Sequence, residues 1–132
     1  MPERVVLAVD PGSAKCGLAV VDEARRVRAR RVVATPDLAA SVERLLAEHP
    51  VTHVIVGDRT GSKHARGVLA GICGGRPVLP ADEHLTSEEA RRRYFRENPP
   101  RGLGRLIPSG FRLPPCPIDD YVAVILAERY LS

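Results

Sequence analysis

Six acidic residues stand where the hydropathy pattern begins or ends an element. Asp10 closes the run VVLAVD. Asp58 follows Gly57 at the end of HVIVG. Asp82 and Glu83 come just after a short run that ends at Pro80, and Asp119 and Asp120 open the segment DDYVAVILAERYL. Carboxylates brought together raise one another's pKa unless a cation relieves the repulsion. Hard oxygen donors suit Mg²⁺ or Mn²⁺. Such an ion would activate a water and stabilise the leaving oxygen of a phosphodiester. Each acid also has an ordinary use. Asp119 is a natural N-cap with Asp120 in the first turn, while Asp10, Asp58 and Asp82 suit turns. His49, His53, His64 and His84 form no HxH or HxxxH pair, and only His84 adjoins a candidate acid.

The elements that must position these acids follow from the same pattern. Residues 5–9 are continuously apolar, as in a strand buried on both faces. Pro11 and Gly12 turn the chain into a second strand at 16–22. A third, at 28–33, has arginines around it, as expected of an edge. Thr35-Pro36 opens a helix, threonine as cap and proline in the first turn, with Leu38, Val42, Leu45 and Leu46 on one face. A strand at 51–57, a short helix at 63–73 and a strand at 76–80 come next. Residues 86–98 read as a helix with a capping box of Thr86 and Glu89. Prolines break residues 98–118. The last helix, 119–131, is apolar on every side in its first half, so it should be deeply packed. The order βββαβαβαα predicts an α/β fold. Its mixed five-stranded sheet has strands one to three antiparallel, strands four and five parallel to strand one, and helices on both faces. Asp10, Asp58 and Glu83 would then share the rim where such sheets bind ligands.

Composition narrows the function classes. The 132 residues suit a single domain, 1–132, and no apolar run is long enough for a membrane helix. The opening residues lack the apolar region of a signal peptide. Cys16, Cys73 and Cys116 share no CxxC spacing, which fits a reducing, cytoplasmic setting. The net charge is +4, and residues 91–112 hold seven arginines against one acid. Lys15, Arg91, Arg92, Arg96, Arg101 and Arg105 are candidate phosphate contacts. A solvated helix face is the plainer account of the arginines.

Four segments carry a resemblance: LAVDPGSAKCGLAVVD, HVIVGDRTGS, DEHLTSEEARR and PIDDYVAVILAERYL. Together they resemble the YqgF family of pre-16S rRNA nucleases, in the RuvC-like group of the RNase H-like superfamily. The resemblance implies an RNase H-like fold and metal-dependent hydrolysis, with the 5′ end of precursor 16S rRNA as substrate in ribosome biogenesis. It implies Asp10, Glu83 and Asp119 as catalytic metal ligands for Mg²⁺ or Mn²⁺. Asp58, Asp82 and Asp120 are additional acids. The chain departs from the family pattern at His84, where arginine is usual, at Asp58, where many members are apolar, and at Asp120, a second acid beside Asp119. Its Pro- and Arg-rich stretch 98–118 is also longer than the family's. Two alternatives remain open: a nuclease on Holliday junctions or single-stranded DNA in repair and recombination, and a non-catalytic nucleic-acid-binding module. An actin-like ATP-binding domain is disfavoured, because such proteins close two domains around the nucleotide.

Overall fold

The computed structural model describes residues 3–59, 61–84, 86–99 and 117–132, together with Gly102, Leu106 and Pro114. Its elements are β1 (Val5–Asp10), β2 (Lys15–Asp22), β3 (Val27–Ala34), a 3₁₀ turn at Thr35–Asp37, α1 (Leu38–Glu48), β4 (His53–Gly57), α2 (Ser62–Ala70), β5 (Val78–Ala81), α3 (Thr86–Glu97) and α4 (Asp119–Leu131). The sheet order is β3-β2-β1-β4-β5. β1–β2 and β2–β3 are antiparallel, while β1–β4 and β4–β5 are parallel. This is the mixed sheet read from the sequence.

β1 lies at the centre, so its alternate residues face two cores. Val5, Leu7 and Val9 join Leu18, Val20, Val54 and Val56 against Leu38, Val42 and Leu45 of α1 and Leu69 of α2. Val6 and Ala8 join Ala19, Val21 and Ile55 on the other face, under Ala90 of α3 and residues 121–127 of α4. A strand covered on both faces needs apolar residues at every position, which is why VVLAV is continuous. Residues 121–127 of α4 are apolar on every side for the same reason: they are sandwiched between the sheet and α3. The edges suit their sequences. β3 carries exposed arginines, and β5 tolerates Pro80 because its outer side needs no donor.

Four local readings change. β4 begins at His53 rather than Val51, because the Val51 and Thr52 N–H groups donate to His49 and Val5 carbonyls. β5 begins two residues later than expected and ends one later; Arg76 instead donates to the carbonyls of Val51 and Cys73. Thr35 is not a helix cap. Its hydroxyl donates to the Gly12 carbonyl at 2.8 Å and its N–H to the Ala14 carbonyl, which ties down the β1–β2 turn. The capping box does not form. Thr86 is already helical, and its N–H and hydroxyl both donate to the Glu83 carbonyl. Glu89 faces Arg129 instead, at 2.7 Å.

Candidate active site

Parallel pairing of β1, β4 and β5 brings their carboxyl ends, and with them Asp10, Asp58 and Glu83, to one rim. α4 adds Asp119. Its first turn rests on Gly17, the residue paired with Asp10 across the β1–β2 ladder. A Cβ on Gly17 would overlap the Asp119 backbone, so only glycine lets the helix come this close to the strand.

The carboxyls of Glu83 and Asp119 lie close enough to that of Asp10 to act on its charge. Burial, then the hydrogen bond and charge of Glu83, then the charge and hydrogen bond of Asp119, push its pKa up to about 9. At neutral pH Asp10 therefore carries a proton, which makes a cluster of three carboxyls tenable without a cation. Glu83 is only 3% exposed. The Arg59 N–H donates to its Oε2 at 2.8 Å, and its own N–H donates to Asp58 Oδ1 at 3.3 Å.

The remaining acids have local occupations. Asp58 accepts the Glu83 N–H and donates its own N–H to the Ala81 carbonyl. Asp82 accepts the His84 N–H at 2.9 Å, an Asx turn. Asp120 pairs with Arg30 of β3 at 3.0 Å and accepts the Tyr121 N–H. Burial raises its pKa against the opposing effects of Arg30 and that N–H. Successive helical residues point about 100° apart, so Asp119 turns toward Asp10 and Asp120 toward the β3 edge.

Among the basic candidates, Lys15 is exposed at the first position of β2, beside the turn that follows Asp10. Arg91 is half-buried on α3. Arg92 and Arg96 are exposed there and enter no ion pair among the described residues. Arg93 is held by Glu97 and Glu128. Arg101 and Arg105, like most of 98–118, lie outside the described residues.

Three carboxyl side chains in contact fit a hard divalent cation by donor chemistry. They are not preassembled for one. Among the described residues no group of three or more histidine, cysteine, aspartate or glutamate side chains stands ready to hold a metal ion. Asp10 instead holds a proton between two neighbouring carboxyls, so ligation requires that proton to leave. Sequence reasoning missed two contributors: the Arg59 N–H behind Glu83, and the space that Gly57 leaves for the same side chain. A glycine set directly at a strand end beside candidate acids was the available signal for the second.

No protein-family model and no curated protein matches the sequence. Solved structures do match. T. thermophilus RuvC in complex with a Holliday junction substrate aligns with a TM-score of 0.60 at 21% identity, covering 94% of this chain and 90% of that one. A second Thermus thermophilus RuvC structure aligns with a TM-score of 0.55 at 18% identity, covering 96% and 94%. The fold is RuvC-like. Within that RuvC-like fold the three touching acids lie on the strand rim. Among the described residues no helix is long and apolar enough to cross a membrane.

Proposed function

We propose that the chain is a divalent-cation-dependent nuclease that hydrolyses phosphodiester bonds, with Asp10, Glu83 and Asp119 as its catalytic cation ligands. The observation that carries this reading is the meeting of those three acids, from the end of β1, the segment after β5 and the start of α4. A Mg²⁺ or Mn²⁺ bound there would activate the attacking water and stabilise the leaving oxygen.

The chain's own residues do the rest. To hold such a cation, Asp10 would release its proton to solvent, so metal binding would be coupled to proton release. The Arg59 N–H keeps Glu83 in place during that change. Lys15, beside the turn after Asp10, and Arg92 and Arg96 on α3 hold the nucleic-acid backbone through its phosphates.

The motif resemblance to the YqgF family favours the 5′ end of precursor 16S rRNA as substrate. The fold likeness to a RuvC bound to a Holliday junction favours a second reading, cleavage of branched DNA. The test is one cleavage assay on a precursor 16S rRNA 5′ fragment, a four-way DNA junction and single-stranded DNA, each with Mg²⁺, Mn²⁺ or chelator. The expected result is metal-dependent cutting of the RNA that Asp10→Asn abolishes. Cutting of the junction alone moves the protein to DNA recombination. Binding without cutting in any arm replaces the enzyme with a nucleic-acid-binding module.

A further inference from the structure

Glu83 has to cross a strand to reach Asp10. It follows β5, the edge strand, while Asp10 ends β1, and β4 lies between them. Adjacent strands stand roughly 4.8 Å apart, so the carboxyl must pass over the end of β4. The residue at that end is Gly57. A Cβ placed on it would overlap the Cγ, Cδ and Oε1 of Glu83, and its three nearest neighbours all belong to this one side chain. The backbone of Gly57 needs no left-handed conformation, since the positive-φ glycines among the described residues are Gly61, Gly74 and Gly102. Its lack of a side chain is therefore used for space. Two residues on, the Arg59 N–H fastens Oε2 on the far side of the crossing.

We infer that Gly57 is a positioning residue. It is the saddle over which Glu83 is laid across β4 toward Asp10, and the Arg59 N–H is the clasp that holds it there. The inference rests on the proposed cation site and adds its construction: the second acid comes from the neighbouring segment, because the strand between has given up its side chain. Asp58, next along, keeps its carboxylate on the Glu83 N–H and so braces the same crossing.

A double-mutant cycle tests this. Gly57→Ala, Glu83→Ala and the double variant are compared for Mn²⁺ affinity by calorimetry and for stability by urea unfolding. Gly57→Ala alone should weaken Mn²⁺ binding by roughly 10–100-fold, the usual effect of losing an outer contact to a ligand, and should lower the unfolding midpoint. In the Glu83→Ala background the same alanine meets none of the three atoms it would strike, so it should change neither quantity. The double variant also keeps the test open should Gly57→Ala fail to fold. Gly67→Ala, whose new methyl meets nothing within 4 Å, is the control: it should leave Mn²⁺ binding alone and, lying inside α2, raise rather than lower the unfolding midpoint. Equal losses from Gly57→Ala in both backgrounds would assign the glycine to the backbone and overturn the saddle, as would parental Mn²⁺ affinity in Gly57→Ala. Should the parent bind no Mn²⁺, the cation reading falls, and non-additive stabilities alone still establish the seat.

Discussion

Asp10 and Asp22 end the two strands of one antiparallel hairpin, at opposite ends of the sheet, the first half-buried and the second buried. Their surroundings are electrostatic opposites. Asp22 is 1% exposed. Burial would raise its pKa, but the Arg26 N–H at 2.9 Å, the Arg28 guanidinium at 3.1 Å and the nearby Arg26 charge outweigh burial and hold it below the usual range. Asp10 meets two further carboxyls and is pushed the other way, to about 9. Burial of a carboxylate alone therefore marks nothing. What sets the rim apart is an acid whose protein neighbours make its charge harder to bear, so that it holds a proton where Asp22 holds arginines.

The largest test of this contrast is the pair Asp10→Asn and Asp22→Asn. The first should reduce single-turnover cleavage by more than the roughly 10–100-fold typical of an outer-shell contact, with nucleic-acid binding retained. The second should leave the rate of the folded enzyme unchanged and cost about 1–3 kcal/mol in urea unfolding, as the donors around Asp22 lose a charged acceptor. A cleavage defect confined to Asp22→Asn would invert the assignment.

A smaller effect lies in the pH dependence of stability with metal chelated. Asp10 titrates at about 9 when folded and at roughly 4 when unfolded. Between those values the folded state holds the extra proton. Its contribution is full below about 4 and is lost as pH rises to about 9. Asp22 behaves oppositely, since its folded pKa is depressed; it stabilises above its unfolded pKa and loses that contribution as pH falls through its folded one. Unfolding at pH 5, 7 and 9 should show declining stability in the parent and a flatter profile in Asp10→Asn. Identical profiles would remove Asp10's proton from the account.

The smallest effect concerns arginines. Arg28 is committed to Asp22 and Glu3, whereas Arg92 and Arg96 have no ion-pair partner among the described residues. Replacing Arg92 and Arg96 by alanine should lower the salt slope of nucleic-acid binding by about 0.7–0.9 per lost phosphate contact. Arg28→Ala should leave that slope alone. Equal slopes in all three variants would make the α3 arginines an ordinary solvated face.

The sheet and its rim were legible because their signals are local. VVLAV is continuous where both faces are covered, and the acids sit at the ends of such runs. Choices that depend on distant partners were not legible. Thr35 carries the chemistry of a cap, yet it spends its hydroxyl on the Gly12 carbonyl brought near by folding, and Glu89, the other half of the expected capping box, is taken by Arg129 forty residues on. Asp119 and Asp120 are indistinguishable in sequence, and Arg30 across the fold takes one of them. Nor does anything near Gly17 in sequence announce that the first turn of α4 presses on it.

That placement of α4 has a consequence for how the protein comes into being. The hairpin bearing Asp10 is local and forms early in any reasonable order of events. Its partner Asp119 arrives only after every other element has emerged, and until then the face holding Val6, Ala8, Ala19, Val21 and Ile55 lacks its main cover. Contacts closed across such sequence distances form late and leave apolar surface exposed while they wait. A nascent chain, even one with its whole sheet assembled, therefore lacks the third acid of the proposed site. On that reading, the helix that buries the sheet also completes the site, so folding acts as the safety catch.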